Sequence, residues 1–219
     1  IADEQRAEAE TARDTAQQET ARAEAVKDFV TTMLSSVDPE TSGSMDKELM
    51  KLVLSQASDK VGENFKDQPL IEAEIRDAIG HTYGSLGQYD DALAHVMLAI
   101  KLYRDELGDD HFDTLGQINH AGILLELQGK YEEAMRYSLE SLEGHRRTLG
   151  DENEYTLVQI GNVGFNYMRQ GNYEEAEKLY RMILQRDPQN IETTFQFGTL
   201  AFQLQRYNIS MACMLQVIQ

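Results

Sequence analysis

Gly87-Gln88-Tyr89-Asp90-Asp91-Ala92 recurs as Gly129-Lys130-Tyr131-Glu132-Glu133-Ala134 and again as Gly171-Asn172-Tyr173-Glu174-Glu175-Ala176, with a spacing of 42 residues each time. A motif that returns at a fixed offset marks an array of structural repeats. The connectors return as well: Leu107-Gly108-Asp109-Asp110-His111-Phe112-Asp113-Thr114-Leu115 aligns with Leu149-Gly150-Asp151-Glu152-Asn153-Glu154-Tyr155-Thr156-Leu157 at the same offset. A weaker fourth copy, Gln205-Arg206-Tyr207, comes 34 residues after Gly171, because the connector before it has shrunk to Gln185-Arg186-Asp187-Pro188-Gln189-Asn190.

Each repeated position has a physical reading. Gly80, Gly122, Gly164 and Gly198 stand seven residues before the turn position, midway along the first helix of each pair. A glycine there costs about 1 kcal/mol relative to alanine, so its return predicts a helix contact too close for a side chain. The turn glycine ends that helix in a left-handed conformation. The following tyrosine places a ring between the two helices, and Ala92, Ala134 and Ala176 give the second helix a flat contact surface. The product is a helical hairpin whose apolar faces are buried only by stacking on the next, which builds a superhelix with a concave side. Pro39, Pro69 and Pro188 are the only prolines and all fall at loops or first turns, so the fold class is all-α.

Charge narrows the partners. Asp and Glu number 38 against 20 Lys and Arg, a formal charge of -18, which repels nucleic-acid phosphates and anionic lipid. No apolar run spans a bilayer, so no direct membrane insertion is expected. Cys213 has no second cysteine to pair with, which leaves the redox compartment open. The chain opens at Ile1 and stops at Gln219 inside a helical pattern, and reads as a piece of a longer protein, cytoplasmic if free-standing or tethered to a membrane through flanking sequence.

The Gly-x-Tyr motif and its partners resemble the tetratricopeptide repeat family over roughly residues 70 to 219. The 42-residue form with the Leu-Gly-Asp-x-His/Asn-x-x-Thr-Leu connector is similar to the repeats of kinesin light chains and related bacterial proteins. A second likeness reaches further back. An Ala/Glu/Arg-rich helix, then Ala25-Val26-Lys27-Asp28-Phe29-Val30, an Asp-Pro turn and Phe65-Lys66-Asp67-Gln68-Pro69 before the first repeat resemble the region that follows the kinase and membrane segments of some bacterial serine/threonine protein kinases.

Four stretches of the chain differ in character. Residues 1–37 are expected to form one long helix, with Ala2, Ala9, Ala16, Ala23, Val30 and Val37 seven apart, either a solvated spacer or a weak coiled coil that dimerises. Residues 38–69 hold a loop, with Ser44 as an N-cap, and an amphipathic helix with Leu49, Val53, Ala57 and Val61 on one side. That helix caps the first repeat. The repeats occupy 70–219, divided at 70–114, 115–156, 157–190 and an incomplete 191–219. From Ile191 onward only Glu192 and Arg206 are charged, so further repeats, a capping helix or self-association is needed to cover the apolar end.

Catalytic machinery is not legible. There is no phosphate-binding glycine loop, nucleophile elbow or kinase signature, so the segment reads as no enzyme and needs no cofactor. His81, His95, His111, His120 and His145 show no metal-ligand spacing among themselves, although His81 and His120 fall on adjacent first helices; they read as polar lining of the groove rather than as metal ligands. The family resemblance implies that the first helix of each pair lines a peptide-binding concave face. The matching positions are Asp77, Ala78, His81 and Gly84; Asn119, His120, Ile123 and Glu126; Gly161, Asn162, Phe165 and Met168; and Phe195, Gln196, Thr199 and Phe202. They run from polar and acidic to apolar. Asp77 and His81 stand where some relatives carry the cations that clamp a terminal carboxylate, so a chaperone-tail ligand is disfavoured. Two readings stay open: a scaffold whose groove takes a protein segment with apolar anchors and positive charge, and a homo-oligomerising module that uses the N-terminal helix and the apolar last repeat.

Overall fold

A computed structural model describes residues 47–218. The helix expected over 1–37, the loop from Asp38 and the Ser44 cap lie outside the described residues. Within them the elements are α1 (Lys47–Asn64), α2 (Pro69–Ser85), α3 (Tyr89–Leu107), α4 (Phe112–Leu127), α5 (Tyr131–Leu149), α6 (Glu154–Arg169), α7 (Tyr173–Arg186), α8 (Ile191–Gln203) and α9 (Tyr207–Ile218). No strand occurs among the described residues. Consecutive helices pack on each other, and the hairpins α2–α3, α4–α5, α6–α7 and α8–α9 follow in a row.

The turn glycines do what the repeat demands. Gly87, Gly129 and Gly171 sit at φ +78°, +75° and +81°. Each closes a two-bond cap: Gln88 N–H donates to Tyr83 O at 2.9 Å while Gly87 N–H donates to Gly84 O at 3.0 Å, and the later turns repeat both bonds. The fourth turn keeps the bonds but not the glycine. Arg206 N–H reaches Ala201 O at 2.8 Å, with Gln205 held at φ +58°, a left-handed conformation that costs a side-chain-bearing residue about 1 kcal/mol.

The connectors are equally specific. His111 and Asn153 are N-caps, accepting from Asp113 N–H at 3.3 Å and Tyr155 N–H at 2.9 Å. The aspartate after each connector glycine pairs with the last-turn arginine behind it, Arg104 with Asp109 at 3.0 Å and Arg146 with Asp151 at 2.7 Å. These exposed pairs contribute at most about 1 kcal/mol each, so they select a connector geometry more than they stabilise it.

Close helix approach is confirmed at the mid-helix glycines. A Cβ on Gly80 would lie 3.0 Å from Val96 Cγ2, and one on Gly164 2.8 Å from the Tyr180 ring. Ala92, Ala134 and Ala176 are fully buried. The turn tyrosines differ from expectation at the last repeat: Tyr89 and Tyr173 pack on the core, whereas Tyr207 is exposed and meets Phe202 edge to face. α1 buries Leu54, Ala57 and Val61, followed by Phe65, in one cluster with Ile71, Ile75 and Ile79 of α2. At the other end, α9 leaves Met211, Leu215 and Ile218 exposed.

Candidate functional site

The first helices α2, α4 and α6 carry a ladder of polar contacts between neighbouring repeats. His81 of α2 stacks on His120 of α4 with ring centroids 3.9 Å apart. Asn162 of α6 donates to Asn119 of α4 at 2.7 Å. One turn further on, the buried Asn166 donates through Nδ2 to the Glu126 carboxylate and, at 3.2 Å, to Ser138 Oγ. The second and third repeats are thus registered by hydrogen bonds on this face, and the first and second by a ring stack.

Beyond the ladder the groove deepens into a cavity of about 490 Å³ between α6 and α8. Leu157, Val158 and Phe165 line one side, with Tyr180 of α7 behind them. Four carboxylates surround it: Glu126, Glu154, Asp187 and Glu192. No lysine or arginine is among its described lining residues. Burial pushes the Glu126 carboxyl up to about 7, against the opposing effect of the bond from Asn166. A carboxylate kept this far out of water near neutrality accepts a cation readily, because pairing removes the charge that burial penalises.

The expected groove residues fall into groups. Glu126, Asn162 and Phe165 line the cavity together, and Asp77 and His81 gather with His120 at the opposite end of the described ladder. Asn119 is committed to Asn162, and Ile123 is exposed between the two regions. Phe195 and Phe202 are exposed on α8 outside the cavity lining, and Thr199 Oγ donates back to Phe195 O at 3.0 Å. Met168 is a correction: it is only 5 % exposed and packs with Ala176, Tyr180 and Leu200, so it belongs to the core. Glu126 and Phe202 stand at the same offset before their turns and are not buried this way, so the difference lies in the apolar neighbours that Met168 finds in its own repeat.

Two further corrections concern polarity. The run from acidic to apolar does not describe the third and fourth repeats, because Glu154, Asp187 and Glu192 bring charge to the cavity from first turns and a connector. An acid in a first helical turn reads from sequence only as a partner of the helix dipole. The histidines also divide. His95 and His145 are buried, with His95 2.7 Å from Ser58 Oγ and pushed to about 4 by burial and then by Arg76. His111 is a cap, which leaves His81 and His120 on the groove face.

A stack of helical hairpins with a polar-registered, acid-rimmed groove on its first helices is a repeat solenoid of the protein-binding class. The chain belongs to the tetratricopeptide repeat family: two family models described as tetratricopeptide repeat match residues 73–113 and 114–189, together more than half of it. No curated protein matches in sequence. Solved structures match in fold. BtubC (BKLC) from P. vanneervenii is similar at 17 % identity and a TM-score of 0.65, over 90 % of this chain and 87 % of that one. A putative kinesin light chain from Podosopora anserina with nearly identical TPR-like repeats gives 12 % and 0.63, over 90 % and 92 %. PilF of Pseudomonas aeruginosa gives 16 % and 0.58, over 91 % and 78 %. Repeats of this family bind protein partners. Among the described residues no helix is long and apolar enough to cross a membrane.

Proposed function

We propose that this chain is a non-enzymatic docking module whose cavity between α6 and α8 takes an extended or helical protein segment with a basic side chain beside apolar anchors. The observation that carries this is the cavity itself, four carboxylates around Leu157, Val158 and Phe165 with no cation in its described lining. A guanidinium or ammonium there would meet Glu126 and Glu192 while its neighbours cover Phe165, combining charge complementarity with an aromatic contact. Selection from a displayed random-peptide library should enrich Arg or Lys flanked by apolar residues. Phe165→Ala and Glu192→Lys should each weaken the selected peptide about 10- to 100-fold. Enrichment of acidic peptides, or indifference to both variants, would remove the reading. The resemblance of the region before Pro69 to bacterial kinase segments supports placing the module in a larger signalling protein.

The exposed Met211, Leu215 and Ile218 of α9 favour a second reading, homo-oligomerisation through the last repeat. Sedimentation velocity should then show a dimer that Met211→Glu with Leu215→Glu converts to monomer. A monomer at every concentration before mutation excludes it.

A further inference from the structure

The other end of the polar ladder holds a group that the reading of the histidines alone passed over. Asp77 and His81 are four residues apart on α2, which sets both side chains on one face of the helix, and α4 brings His120 against them. His81 Nε2 lies 3.3 Å from Asp77 Oδ1, and His120 Nδ1 lies 3.7 Å from the same oxygen. One ligand atom from each of the three residues falls within 4.8 Å of the other two. Two of these atoms, Asp77 Oδ1 and His120 Nδ1, are shut off from solvent and make no hydrogen bond. Buried polar atoms in that condition ask for a partner.

We propose that Asp77, His81 and His120 form a binding site for a divalent transition-metal ion of the zinc type, with one coordination position left open toward the groove. Two imidazole nitrogens and a carboxylate oxygen are a donor set that suits zinc and its neighbours, while magnesium and calcium want oxygen alone. Metal–ligand bonds of about 2.0–2.1 Å put tetrahedral ligands about 3.3 Å apart, close to the separations around Asp77 Oδ1. The imidazoles now stack with planes 19° apart, so binding requires the His81 ring to turn its Nε2 lone pair toward the ion. Its side chain is 64 % exposed, which leaves room for that rotation. His120 and Asp77, at 12 % and 29 %, form the fixed part of the site. Because the ligands come from α2 and α4, an ion there would clamp the first repeat to the second. Its open position would accept water or a carboxylate or imidazole from a docked segment.

The test uses the full chain freed of metal by chelator and titrated with zinc chloride in a calorimeter. One ion per chain is expected, with a rise in thermal midpoint, and cobalt chloride should give the intense visible bands of a tetrahedral site. His81→Ala, at an exposed position, and Asp77→Asn should each weaken zinc binding about 100-fold and abolish the bands. Binding of zinc that neither variant changes places the ion elsewhere and overturns the proposal, as does no binding at all. Since His81 is exposed, loss of folding cannot stand in for loss of a ligand in that variant.

Discussion

Gly164→Val is expected to destabilise the fold by about 3 kcal/mol, read as a lower midpoint in urea followed by circular dichroism. The new Cβ would stand 2.8 Å from Tyr180 Cε1, 3.3 Å from Cδ1 and 3.4 Å from Cζ. A rigid ring offers no flexible end to swing aside. Tyr180 is fully buried and packed among Met168, Ala176, Phe197 and Leu200, so relief requires α6 and α7 to separate. Valine recovers only about 0.5 kcal/mol of helix propensity over glycine, far less than overpacking costs. Gly116 supplies the control. It is exposed within α4, with nothing within 4 Å of a Cβ, so Gly116→Ala should raise stability by up to about 1 kcal/mol. Equal stability of Gly164→Val and the parent chain would mean that the close approach of α6 and α7 is not what the repeated glycine secures.

That contrast also explains which parts of this protein can be read from its residues. A 42-residue recurrence exposes the hairpins, the left-handed turn glycines and the buried alanines, because each answers a local demand of backbone or packing that repeats with the sequence. The connector recurrence is legible for the same reason, but the cap role of His111 is not, since the histidine reads from sequence as groove lining. The groove is only half legible. Glu126, Asn162 and Phe165 are found by counting back from the turn, but Glu154, Asp187 and Glu192 reach the same cavity from other offsets, and only the stacking angle between α6 and α8 brings them there. Met168 shows the converse error, a residue at a groove offset that packs into the core among Ala176, Tyr180 and Leu200. Asp77 joins two histidines only because the stacking of α4 on α2 brings His120 against it from the next repeat, and no single-helix spacing carries that information.

Glu126→Gln is expected to gain stability over the parent chain as pH rises and to flatten the pH dependence of ligand binding. The carboxyl ordinarily titrates near 4.5, and in the folded chain burial raises it to about 7 even though Asn166 donates to it. The folded state therefore holds a proton that the unfolded chain gives up. Its contribution to stability is fully present below about pH 4.5 and is lost as pH rises through about 7, amounting to about 3 kcal/mol at most. Glutamine keeps an acceptor for Asn166 without the charge, so the variant should equal the parent chain near pH 5 and exceed it at pH 8. Tyr180 does not confuse the comparison, since burial and the nearby Glu126 hold its phenol above its ordinary range. A basic ligand reverses the sense: it binds the ionised form, so parent-chain affinity should climb between pH 6 and 8, with a proton release that makes the observed binding enthalpy vary with the buffer's ionisation heat. Glu126→Gln should flatten that climb. A difference in midpoint between variant and parent that stays level from pH 5 to 8, with a level parent affinity, would show that the charge on Glu126 does not change across this range and that its burial is offset before any ligand arrives. The strain then would not lie at Glu126, and the cation preference of the cavity would have to rest on Glu154, Asp187 and Glu192 alone.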